Sequence, residues 1–103
     1  MIIAIATNKN ELNAEINIHF GRSQWFYIFD RASKTGEFIE NNSSHEFNKA
    51  GFTIANNLIN RGVMLVVAGR FGSKVVDVLK SHHIQMVIPN STLTLQEFLN
   101  NLK

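Results

Sequence analysis

The sequence predicts an α/β fold: a mixed five-stranded sheet, ordered 3-2-1-4-5, with helices on its faces. Three observations predict it. Short, continuously apolar runs at 2–7 and 63–68 have the length and composition of buried strands. Two aromatic or apolar runs near the start are separated by a turn-sized segment, so they pair as an antiparallel hairpin. The later strands are separated by stretches of helical periodicity, which makes them parallel.

The first strand is Ile2-Ile3-Ala4-Ile5-Ala6-Thr7. With Met1 it lacks the basic region and small-residue cleavage site of a signal peptide, so it belongs to the fold. A polar loop follows from Asn8 to Asn17. Gln24–Asp30 forms the second strand, whose alternation of Trp25, Tyr27 and Phe29 with Phe26 and Ile28 predicts burial on both faces. Ser33-Lys34-Thr35-Gly36 supplies the turn into a third strand, Gly36–Asn41. After a second polar loop, Asn42–Asn48, the residues Phe47, Ala50, Gly51, Ile54, Ala55, Leu58 and Ile59 recur at helical spacing. Gly62 ends that helix, because glycine adopts positive φ without a Cβ penalty. Val63–Ala68 is the fourth strand, and Gly69-Arg70-Phe71-Gly72 turns the chain into a helix carrying Val75, Val76, Val78 and Leu79. His82-His83 closes that helix, where a cation suits the carboxyl end of the dipole. Ile84–Ile88 is the fifth strand, stopped by Pro89-Asn90. Thr94 and Glu97 form a capping box for a last helix, with Leu93 and Phe98 as its hydrophobic staple. Its buried stripe is Leu95, Phe98, Leu99 and Leu102. This order satisfies the right-handed crossover rule and is the ribonuclease H-like three-layer architecture. The loop after Thr7, the loop around His19 and the Gly69–Gly72 turn converge at one end of such a sheet, where α/β proteins bind ligands.

At 103 residues and 45% hydrophobic, the chain fits one domain, 1–103. No apolar run approaches the ~18 residues that cross a bilayer, and a cytoplasmic protein is expected. The absence of cysteine removes disulfides, thiolate nucleophiles and Cys-ligated metal sites. A metal is then left to His, carboxylate, Met or backbone, which points to transient binding of a species that carries most of its own ligands. The net charge is +2, with the ten Lys and Arg scattered along the chain. An anionic ligand is compatible with that balance, whereas nucleic-acid binders concentrate their charge.

The segment Ile18-His19-Phe20-Gly21-Arg22 precedes an apolar strand and carries an imidazole, a cation and a glycine. The imidazole is a nitrogen donor for a borderline metal, and the guanidinium suits an anion. From the residues alone, His19 reads first as a loop histidine bonded to backbone and second as a metal ligand. Arg22, Arg70 and Lys74 read individually as solvated charges or together as a cationic rim. Arg70 stands out among them, because it lies between Gly69 and Gly72 beside a helix N-terminus.

These landmarks resemble a known family. Ile3-Ala4-Ile5-Ala6, His19-Phe20-Gly21-Arg22, Phe26-Tyr27-Ile28-Phe29-Asp30, Ile39-Glu40-Asn41, Gly62-Val63, Ala68-Gly69-Arg70-Phe71-Gly72 and Leu79 through Ile84 resemble, in order, the dinitrogenase iron–molybdenum cofactor biosynthesis proteins of the NifX and NifB C-terminal types. The resemblance implies an accessory domain that binds or carries an iron–sulfur or iron–molybdenum cluster or its precursor, without catalysis of its own. It implies His19 as the metal ligand, and Gly21, Arg22, Gly69, Arg70, Phe71 and Gly72 as the residues shaping the site. Cluster-donor and cluster-acceptor proteins are the implied partners, with the chain itself a monomer or weak homodimer and without nucleic-acid or membrane binding. One departure is that Lys49-Ala50-Gly51-Phe52 keeps a single glycine where the family often has Gly-x-Gly.

The alternative function is a non-metal module of the same fold that binds a small anion or a protein. A two-metal nuclease needs convergent carboxylates on the strands, whereas Asp30, Glu40 and Asp77 are dispersed. No Gly-x-Ser-x-Gly elbow, Walker loop or dinucleotide fingerprint is present. His45 reads as an exposed loop residue, Met64 and Met86 as core, and Trp25 as a strand residue with partner binding as a secondary use.

Overall fold

The computed structural model describes residues 1–44 and 50–102. Along the chain lie β1 (Ile2–Thr7), β2 (Trp25–Asp30), β3 (Thr35–Glu40), α1 (Ala50–Asn60), β4 (Val63–Val67), α2 (Ser73–Ser81), β5 (Gln85–Val87) and α3 (Leu95–Asn100). The strands form one sheet in the order β3-β2-β1-β4-β5. The β1–β2 and β2–β3 pairs are antiparallel, and the β1–β4 and β4–β5 pairs are parallel, as the hairpin and crossover spacings require.

The alternation of β1 divides the core into two layers. Ala4 and Ala6 face α1 and α2, packing with Ile54, Ala55, Leu58, Val75 and Leu79. Ile3 and Ile5 face the other way, onto Leu95 of α3 and Val67. The central strand is thus covered on both faces, which is why its sequence is apolar throughout rather than alternating. Each fully buried Leu or Ile contributes on the order of 1.5–3 kcal/mol by transfer from water.

The shortest helix has the most local help. α3 spans six residues, too few for a stable free helix. Thr94 accepts from the Glu97 amide while the Glu97 carboxylate accepts from the Thr94 amide, completing the predicted capping box. The amides of Leu95 and Gln96 donate to the carbonyls of Ala14 and Leu12, and Leu95 is fully buried. Gly62 follows α1 with φ +81°, as its role as helix terminator requires. His82 caps α2, its Nδ1 3.1 Å from the Val78 carbonyl oxygen.

Three expectations are corrected. Met64 is not core: it is 52% exposed. The register of the parallel pair shifts there, with Ile2 opposite Val63 and Ile3 opposite Leu65. Met64 is therefore the extra residue of a bulge, and its side chain leaves the face that strand alternation would give it. β2 is not buried on both faces. Only Phe26 is fully enclosed, and Trp25, Tyr27, Ile28 and Phe29 are half-buried, because β2 stands one strand from the sheet edge. Gly36, expected both to close the turn and to open the third strand, belongs to the strand alone. The positive φ falls on Lys34, at +58°, and Gly36 lies inside β3. A Cβ at Gly36 would lie 2.3 Å from Cζ of Tyr27, so the glycine gives the ring its place. Met86 is partly buried against the core, as expected. Phe47 and His45 lie outside the described residues. Among the described residues no helix is long and apolar enough to cross a membrane.

Candidate functional site

After β1 the chain leads toward β2 on one side of the sheet, and after β4 it leads through α2 to β5 on the other. The carboxyl ends of β1 and β4 lie side by side, so the switch point of the sheet falls between them. Ligands of open α/β sheets bind at such a crevice.

Backbone hydrogen bonds seat the predicted loop across that crevice. The Asn17 amide donates to the Ala6 carbonyl at 2.8 Å, and Thr7 pairs with Ile16. From the other side the Gly69 amide donates to the Asn17 carbonyl at 3.0 Å, and the Phe20 amide to the Arg70 carbonyl at 3.1 Å. His19 and Arg70 thereby form a parallel bridge. The Asn17 side chain adds a local tie, its Oδ1 accepting from the His19 amide at 3.0 Å.

Phe20 anchors the loop in the core. It is 1% exposed and packs on Phe26 and Phe71, with both ring centroids 5.4 Å away. Phe20 turns inward at the start of a turn, whereas His19 before it is exposed. Its ring has no hydrogen-bond partner among the described residues, and its nitrogens are available to a ligand. Phe71 is half-buried, and its contact with Phe20 ties the Gly69–Gly72 turn to the loop.

The two glycines of that turn differ. A Cβ at Gly69 would stand 2.9 Å from Cα and 3.1 Å from the carbonyl oxygen of Ile18, so the close approach of loop and turn demands glycine. A Cβ at Gly72 would meet nothing within 4 Å. Gly72 is the N-cap of α2 and brings no side-chain cap, leaving the first amides of that helix without a partner inside it. The side chains of Arg70 and Lys74 are exposed beside them, and the first turn holds no acid. This corner is electropositive.

His19, Arg70, Gly69 and Phe71 are thus brought together directly. Gly21 lies toward α1: a Cβ at Gly51 would be 3.8 Å from Gly21 Cα, and 2.6 Å from Cγ2 of Val75. The Gly51 position is required by the packing of α1 on α2. Arg22 is exposed, and its Nη1 donates to the Ser44 carbonyl at 3.2 Å.

The sequence reading missed Asn17, Ser23 and Asn41. Ser23 Oγ lies 2.8 Å from both the Thr7 and the Trp25 carbonyl oxygens. Asn41 is 2% exposed and bonds to Gly21 and Ser23. Asn17 carried a legible signal, an Asx spacing two residues before His19, whereas Ser23 looks like ordinary loop polarity and Asn41 like the polar end of a strand.

Sheet order, crossovers and the seated loop define a three-layer, ribonuclease H-like α/β protein with its candidate site at the switch point. Residues 1–103 match the family model described as dinitrogenase iron-molybdenum cofactor, and the chain belongs to that family. Among solved structures it is similar to the apo orange protein of Desulfovibrio gigas, with a TM-score of 0.88 at 24% identity, over 96% of this chain and 83% of that one. It is also similar to a putative NifB protein from Thermotoga, with a TM-score of 0.80 at 23% identity, over 96% and 84% respectively. Both share its fold. No curated protein matches the chain.

Among the described residues no three His, Asp or Glu side chains converge as a metal-holding group. A bare ion would find one imidazole here among the described residues, which is too few donors for a closed coordination shell. A preformed cluster that brings its own sulfides and organic ligands needs no more than one protein donor and a complementary charge. Among the described residues the donor set does not complete the shell of a bare ion.

Proposed function

We propose that this protein binds and carries an iron–sulfur or iron–molybdenum cluster, or a precursor of one, as an accessory factor in metallocluster assembly, and performs no catalysis itself. The observation that carries this reading is the seating of an exposed His19 imidazole beside Arg70 at the switch point of the sheet, held there by backbone bonds from β1 on one side and the Gly69–Arg70 strand end on the other. His19 is the ligand to an exposed metal of the cargo. Arg70, Lys74 and the uncapped amides of α2 face its negative charge. Arg22 completes the cationic side of the loop. A single protein ligand makes release to an acceptor easy, which suits a carrier. Membership of the iron–molybdenum cofactor family supports the class of cargo.

Anaerobic reconstitution with ferrous iron and sulfide tests the proposal. The wild-type protein is expected to gain charge-transfer absorption in the visible range, and His19→Ala to keep its fold and lose that absorption. Equal absorption in the two proteins would remove His19 from the site. A colourless wild type with an intact fold would favour a small-anion or protein-binding module.

A further inference from the structure

The buried polar side chains of the described residues are Thr7, Ser23, Asn41, Ser43 and Ser44. They are not scattered through the core. The side chains of Ser23, Asn41 and Ser43 meet around the root of the loop that carries His19, and Thr7 and Ser44 join them through their backbones. Ser23 Oγ is within hydrogen-bond distance of the Thr7 carbonyl. Asn41 Nδ2 donates to the carbonyls of Ser23 at 2.8 Å and Gly21 at 3.2 Å. Its Oδ1 accepts from the amide of Ser43 at 3.1 Å and from Ser43 Oγ at 2.7 Å. The backbone of Asn41 is used as well: its amide donates to Gln24 at 2.7 Å, and its carbonyl accepts from Ser44 at 3.3 Å.

We infer that Asn41 is a positioning residue for the His19–Arg22 loop, fixing from the far side of β2 where the ligand-bearing segment lies. The chemistry selects asparagine. The two carbonyls of the loop root need a donor, and the turn at 41–44 presents two donors that need an acceptor. An amide side chain supplies both in one planar group. Aspartate has the same shape but, when ionised, no proton to donate, and would set its charge against two carbonyl oxygens. The group is 2% exposed, so water does not replace a lost bond cheaply. Asn41 hydrogen-bonds to neither His19, the proposed ligand, nor Arg70. It acts through Gly21, two residues from His19.

The inference deepens the carrier reading and rests on it only for its binding arm. The structural arm is amide hydrogen exchange, measured by nitrogen-15 NMR, in the wild type, Asn41→Asp and the milder Ser43→Ala, which removes one of the two donors that orient the Asn41 amide. The reporters are the amides of Phe20 and Gly69, which bond to Arg70 and Asn17 and do not touch Asn41. In Asn41→Asp they are expected to exchange about tenfold faster or more, and in Ser43→Ala about threefold, while Ile5 and Val66 in the sheet core change by less than about twofold. Unchanged exchange at Phe20 and Gly69, or an increase equal to that of Ile5 and Val66, would overturn the inference. If Asn41→Asp does not fold, Ser43→Ala decides by the same criterion. The binding arm is anaerobic loading with ferrous iron and sulfide: Asn41→Asp is expected to gain less charge-transfer absorption than wild type at equal protein concentration. Equal loading of the two would overturn the positioning role, whereas a wild type that fails to load overturns the carrier reading and leaves the exchange result to judge Asn41.

Discussion

Ile18 and Gly69 meet backbone to backbone, so closely that a Cβ on Gly69 would lie 2.9 Å from Ile18 Cα. This contact lets the His19 loop lie against the end of β4, and it separates two glycines that look alike in the sequence. Gly69→Ala forces one backbone segment off the other, and the expected cost is about 1–3 kcal/mol in urea denaturation. Amide shifts at 17–20 should move and cluster loading should fall. Gly72→Ala has open space and φ −68°, and is expected to stay within about 0.5 kcal/mol of wild type. Equal losses in both would contradict the geometry.

Arg70 enters the loop through its backbone, while its side chain is exposed. Arg70→Ala is therefore expected to leave stability within about 0.5 kcal/mol of wild type. The same variant should weaken loading with the anionic cluster, most visibly at low ionic strength where its charge is least screened. A loss of stability without a loss of loading would place its role in packing instead.

Thr7 ends β1 with a hydroxyl that is fully buried and has no hydrogen-bond partner among the described residues. Its carbonyl, not its side chain, meets Ser23. Thr7→Val keeps the shape and removes the unpaired group, so stability is expected to hold or rise by up to about 1 kcal/mol. A clear loss would show that the hydroxyl is in use.

Tyr27 lies over Gly36, flanked by Phe29 at 6.3 Å and Phe38 at 4.8 Å between ring centroids. Gly36→Ala places a methyl group where the ring sits. The ring has to leave, and the expected loss is about 1–3 kcal/mol with a changed near-ultraviolet circular dichroism signal. His19 loading should persist, because this end of the β2–β3 hairpin is remote from the carboxyl end of β1: Gly36 pairs with Phe29, whereas Thr7 pairs with Trp25.

Thr94→Ala removes the side-chain acceptor of the capping box on a six-residue helix. A cost of about 1 kcal/mol is expected. Hydrogen exchange should rise first at Leu95 and Gln96, whose amides tie the helix to Ala14 and Leu12.

The sequence alone specifies the strands, the helices and their order. Those features rest on short-range rules: apolar runs, helical spacing, the Thr94–Glu97 box, and crossover lengths that decide parallel from antiparallel. It also carried the motif order that marks the family. Tertiary structure alone decided which residues hold the site in place. Asn41 bonds to Gly21 across 20 residues of sequence, and Gly69 needs to be glycine because of Ile18, not because of its own turn. Met64 turned outward and Gly36 came to lie under the Tyr27 ring for the same reason. A bulge and a ring contact depend on register between strands, and no residue reveals its cross-strand partner to its neighbours in sequence.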